Sequence, residues 1–124
     1  MRILGLSFGF HDAGVCMLNG DQIEFAGHSE RYIKEKNDAW INNELIIAAI
    51  EGGKPDVIVL HEKAWAKRIR NLYAGNWRAL REPTQRQWIK KFYPQLAGIP
   101  IKDYWHHETH AGAGALSSNF DECA

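Results

Sequence analysis

The stretch WHHETHAGAGAL, residues 105–116, places three histidines and a glutamate directly before a run of alanine and glycine. His106 and His110 are four apart, so on a helix they share a face with Cβ atoms about 5–6 Å apart. That spacing lets two imidazoles hold one metal ion. Two ligands are fewer than a divalent ion requires, and a carboxylate from elsewhere in the chain is the natural complement. His107 lies off the shared face and suits an outer-layer or substrate contact. The run His107-Glu108-Thr109-His110 is one residue short of the H-E-x-x-H zinc-protease pattern. Spacing alone leaves both metal binding and hydrogen-bonded or solvated structural histidines open.

Two other stretches carry chemistry. His11-Asp12 follows the first apolar run, and loops beyond strand ends are where open α/β sheets collect ligands. A histidine beside a carboxylate there can accept a proton from a hydroxyl nucleophile. Adjacent residues on an extended chain point opposite ways, which argues against Asp12 orienting His11 directly. The segment SERYIKEKND, residues 29–38, groups Arg31, Lys34 and Lys36, whose guanidinium forks and ammonium charges suit phosphate oxygens. It also reads as a charged loop compensated by Glu30, Glu35 and Asp38.

The elements that must position these residues follow from periodicity. RILGLSFGF is a short, glycine-punctuated apolar run and predicts a buried strand. Val15 to Leu18 and Ile23 to Ala26 flank Asn19-Gly20, which supplies the positive φ of a tight hairpin. Three consecutive antiparallel strands are therefore expected. Asn42 or Asn43 caps a helix with Leu45, Ile46, Ala49 and Ile50 on one face, ended by Gly52-Gly53. Pro55 then introduces DVIVL, a β-branched run of the kind that sits mid-sheet with both faces covered. Residues 63–73 and 84–93 are helical and basic, the second bounded by Pro83-Thr84 and Pro94. GIPIKDYW predicts a strand delivering the chain to His106, and residues 111–116 a helix whose small side chains pack closely on a neighbour. The histidines then lie at a strand-to-helix junction. The class is α/β: three antiparallel strands, then alternating helices and strands.

Composition is consistent with one folded domain or part of a larger one. The 124 residues are 45% hydrophobic and include five tryptophans, too apolar for intrinsic disorder. No run of about 18 apolar residues is present to form a membrane helix, nor a signal-peptide core, so a cytosolic location is expected. Cys16 and Cys123 form no metal-binding or redox pattern and read as reduced thiols. Net charge is zero, yet residues 63–91 hold nine Lys and Arg against the single Glu82. That segment is either a solvated basic face or an anion-binding one.

Taken in order, the three chemical stretches resemble the N-terminal part of the nodulation-type O-carbamoyltransferases, which include antibiotic-tailoring enzymes. RILGLSFGFHDAGVCMLNG is similar to that family's opening strand, His-Asp loop and hairpin. SERYIKEKND is similar to its E-E-R-x-x-x-x-K-H-D segment, with Ser29 in place of the first Glu and Asn37 in place of the His. HHETHAGAGAL is similar to its H-H-x-x-H-A-x-x-A block. The resemblance implies half of an actin-like, sugar-kinase (ribonuclease H-like) fold. It makes His106 and His110 ligands of a divalent metal, with iron the expected ion, where ATP phosphates are held. His11, with Asp12 beside it, would deprotonate the acceptor hydroxyl, and Arg31, Lys36 and His107 would lie near phosphate-bearing substrate. The implied reaction forms carbamoyl adenylate from carbamoyl phosphate and ATP and passes the carbamoyl group to a small-molecule hydroxyl. In such a protein residues 1–124 are the N-terminal segment of the catalytic domain. The third metal ligand, glycine-rich nucleotide loops and C-terminal domain lie elsewhere or on a complementing chain, and these residues alone would not turn over.

Two alternatives are carried forward. Trp65, Trp77 and Trp88 interleaved with Lys and Arg would suit a nucleotide or nucleic-acid binding module. The tRNA threonylcarbamoyl-transfer family shares the H-x-x-x-H pair, but His11-Asp12 and His107 favour the O-carbamoyltransferases.

Overall fold

The computed structural model describes residues 1–9 and 12–117. Its centre is a five-stranded mixed sheet of β1 (Arg2–Ser7), β2 (Gly14–Asn19), β3 (Gln22–His28), β4 (Val57–Leu60) and β5 (Ile101–Asp103), in the order β3-β2-β1-β4-β5. The first three strands form the expected antiparallel meander. Gly20, at φ +61°, supplies the left-handed turn between β2 and β3, a conformation that costs a glycine nothing. β4 and β5 then add in parallel on the far side of β1. The protein is thus mixed α/β, with its chemistry-bearing loops beyond the carboxyl ends of β1, β4 and β5.

Helices α1 (Glu30–Ile33), α2 (Asn43–Ile50), α3 (Ala64–Tyr73), α4 (Gln85–Phe92) and α5 (His106–Ser117) fill the connections. Asn42 caps α2 by accepting the Leu45 N–H at 2.7 Å, and Thr84 caps α4 in a capping box with Gln87. The one-turn α1 arises where the sequence suggests only a charged loop; its end is fixed by Lys34 in a left-handed conformation, φ +60°.

The core lies on one face of the sheet. Leu4, Leu6, Val15, Met17, Ile58 and Leu60 are buried there against Leu45, Ile46 and Ala49 of α2 and Ile89 of α4. Period-two alternation places these side chains together. The expectation that DVIVL is covered on both faces is corrected. β4 is interior in strand order, but Val57 and Val59 on its second face are only half-buried. That face forms an open groove of ≈ 370 Å³ lined by Gly5, Cys16, Val59, His61 and Thr109 among others.

A second correction concerns α5. Among the described residues nothing packs closely on its alanine–glycine segment: a Cβ added at Gly112 or Gly114 would meet no described atom within 4 Å, and Ala111, Ala113 and Ala115 are exposed. Local signals are enough to start this helix. Glu108 accepts the Trp105 N–H at 3.2 Å, as the third-position glutamate of a capping box does. No helix among the described residues is long and apolar enough to cross a membrane.

Candidate metal and ligand site

β5 ends at Asp103, and α5 begins three residues later with His106. The helical spacing brings the two imidazoles together: His106 Nε2 and His110 Nε2 are 3.2 Å apart, with ring planes nearly perpendicular at 89°. Two metal–nitrogen bonds of about 2.1 Å meeting at about 100° would span about 3.2 Å. The same separation also suits an N–H···N hydrogen bond between neutral rings. Thr109 anchors the turn by donating its hydroxyl to the His106 carbonyl oxygen at 2.6 Å. His107 is exposed and lies to the side, its ring centroid 5.7 Å from that of His106.

A third histidine joins the pair. His61 directly follows β4, and its ring meets His106 edge-on with centroids 5.7 Å apart. Burial holds the His61 imidazole below its usual pKa, opposed by the neighbouring Glu62. Sequence spacing gave no hint of it, since it is 45 residues from His106 in the chain. Its position immediately after the DVIVL strand was the available signal, because parallel strand ends gather functional side chains.

The fit to a metal is partial. The pair can supply two nitrogen ligands, but among the described residues no group of three or more His, Cys, Asp or Glu is arranged to hold an ion. Nδ1 of His106 is buried without a hydrogen-bond partner among the described residues, as is Nδ1 of His61. A ligating imidazole normally donates that second N–H, so the donor set needs completion.

His11 lies outside the described residues, but both ends of its loop are pinned. Gly9 N–H donates to the Ala39 carbonyl at 2.6 Å and Ala13 N–H to the Asp38 carbonyl at 2.8 Å. These bonds hold Gly9 and Ala13 against the end of the SERYIKEKND segment. Asp12 is half-buried in a left-handed conformation, φ +50°. The segment closes on itself: the fully buried Ser29 donates its hydroxyl to Asp38 Oδ2 at 2.7 Å, and Asn37 N–H donates to Glu30 Oε1 at 2.7 Å. Arg31 and Lys36 remain exposed on its outside. The open-face groove joins the regions, since its lining includes Gly14 and His28 at one end and His61 and Thr109 at the other.

The basic segment is partly neutralised internally. Arg70 pairs with the buried Glu62, and Arg86 with Asp103 at 2.5 Å. Trp65 packs edge-on against Trp105, which also carries Lys63 over its ring face at 4.3 Å. Trp88 stacks on Trp40, whereas Trp77 is exposed.

No family model matches the chain. A curated relative is the uncharacterized protein sll1178 of Synechocystis sp., 30% identical over 149 aligned residues that take in 99% of this chain. They cover 24% of that protein, so the chain spans about a quarter of the length of the relative it matches.

Proposed function

We propose that residues 1–124 form the N-terminal part of an ATP- and carbamoyl-phosphate-dependent O-carbamoyltransferase in the cytosol, built on the first half of an actin-like fold. The observation that carries the reading is the 3.2 Å separation of the His106 and His110 Nε2 atoms at the end of β5. The strand order, with three antiparallel strands followed by parallel additions beside β1, is compatible with that fold.

In this reading His106 and His110 supply two ligands of a divalent cation, and the remaining ligands come from outside the described residues. The cation, when bound, supplies positive charge against phosphate oxygens. Arg31 and Lys36, both exposed, add positive charge for a phosphate-bearing substrate. His11 takes the proton of the acceptor hydroxyl as it attacks the carbamoyl carbon of carbamoyl adenylate, and AMP leaves. His107, exposed on the first turn of α5, is available to contact the nucleotide.

Equilibrium dialysis with ferrous iron or cobalt(II), followed by ATP, tests this. The expected result is metal-enhanced ATP binding that His106→Ala and His110→Ala both remove while His107→Ala retains the metal. ATP binding indifferent to the metal, or metal retention by the His106→Ala variant, would reject the proposal.

A further inference from the structure

A second cleft, of ≈ 270 Å³, opens beside α3, where the chain leaving β1 meets the start of α4. Its lining is aromatic and cationic. Phe8, Trp40 and Trp88 contribute rings; Lys67 and Arg68 contribute charge, against Glu82 as the one carboxylate among the described lining residues.

The rings are arranged for stacking. Trp40 and Trp88 lie nearly parallel with centroids 4.0 Å apart, and Phe8 meets Trp40 at a tilt. Phe8 is buried, yet Trp40 is 44% exposed beside the cleft. Leaving so large an apolar ring open to water has a cost that a flat ligand would recover. The frame is rigid: Gln85 Nε2 donates to the Phe8 carbonyl at 2.6 Å, and Lys67 Nζ to the Gly9 carbonyl at 2.8 Å. A pocket held in place before binding loses less entropy when it is filled.

Size and charge narrow the occupant. An apolar cavity of about 150 Å³ takes benzene, so this cleft accommodates a fused ring or a ring with a substituent. Arg68 gives one N–H to the Glu82 carbonyl oxygen at 3.0 Å, and a guanidinium carries several further donors that match a carboxylate. We infer that the cleft is a small-molecule site for a flat aromatic ring bearing a carboxylate, the ring against Trp40 and the carboxylate toward Arg68. This goes beyond the carbamoyl-transfer reading and does not depend on the histidine pair.

The test uses the indole N–H signals of the five tryptophans in ¹⁵N-labelled protein, assigned by single Trp→Phe variants. Indole-3-acetate is expected to shift the Trp40 and Trp88 signals saturably, while tryptamine, the same ring with an ammonium, binds more weakly. Arg68→Glu should weaken indole-3-acetate by about tenfold, as loss of a charge-assisted hydrogen bond does. Asn71→Phe, which places a ring in the cleft, should abolish binding with the circular dichroism unchanged. The inference is overturned by shifts confined to Trp65 and Trp105, by equal binding of tryptamine, or by no saturable shift. Unaltered affinity in Arg68→Glu overturns it too, and that substitution of a half-buried residue decides the matter even if Asn71→Phe does not fold.

Discussion

His61, which follows β4, and His106, which begins α5, meet edge to face with ring centroids 5.7 Å apart. The contact makes His61 a support for the ring orientation of His106. His61→Ala is expected to weaken cobalt(II) binding by about tenfold, at the lower end of what outer-layer substitutions cost. His61→Phe keeps an edge for His106 to rest on and should weaken it less. Equal loss in the two variants, measured by cobalt absorption, would show that the His61 nitrogen matters rather than its ring.

The Ser29–Asp38 hydrogen bond locks the segment that carries Arg31 and Lys36. Ser29 is fully buried, and its hydroxyl also lies 2.7 Å from the Trp40 carbonyl oxygen. Ser29→Ala leaves a half-buried carboxylate oxygen without this donor and should cost about 1 kcal/mol in urea unfolding. Ser29→Glu, the residue that the carbamoyltransferase pattern has here, would set a second carboxylate against Asp38 in a filled space. A loss larger than that of Ser29→Ala is expected; a Ser29→Glu protein as stable as the unaltered one would contradict the packing.

Tyr93 ties α4 to the chain before α2, its hydroxyl donating to the Ile41 carbonyl oxygen at 2.6 Å. Burial raises its pKa above the ordinary value of 10.0. The unfolded chain therefore loses this proton first. The Tyr93 contribution is fully present below about pH 10 and declines as pH rises through the higher folded value. Tyr93→Phe should cost about 1 kcal/mol at neutral pH and should flatten the fall in melting temperature above pH 10. An unchanged alkaline slope would assign that fall to other groups.

The α4 capping box also serves the aromatic cleft, because Gln85 at the start of that helix holds the Phe8 carbonyl. Thr84→Ala removes the oxygen that accepts the Gln87 N–H and should destabilise the protein by about 1 kcal/mol, whereas Thr84→Ser should be near neutral. The alanine variant is also expected to broaden the Trp88 indole signal, read in the same spectra as its melting curve. A sharp signal would mean the cleft does not depend on the cap.

Much of the fold was legible in the chain itself. Asn19-Gly20, Asn42, Thr84 and Pro94 mark turns and helix ends through backbone effects that act within a few residues, and the structure has its elements at those marks. The His106–His110 pairing is of the same kind, since 3.6-residue periodicity alone puts the two rings on one face. What periodicity could not supply was which side of each element would be covered. Val57 to Leu60 is continuously apolar, yet one of its faces lines a groove, and no described residue covers Gly112 or Gly114 of α5. Covering depends on what other parts of the chain occupy, a property of tertiary contact.

The sequence by itself determined the meander, the starts of α2 and α4 and the helical histidine pair, because each depends on bonding and sterics between near neighbours. It did not show that α5 begins at His106, five residues before the expected helix, or that Glu30–Ile33 is a helical turn. Only the tertiary structure decided that His61 joins His106 and that Gly9 and Ala13 are tied to Ala39 and Asp38. It also decided that Trp40 stacks on Trp88 beside Arg68. These partners are tens of residues apart, and their meeting follows from the order in which β4 and β5 add beside β1, which buries one sheet face and gathers the strand ends at one edge.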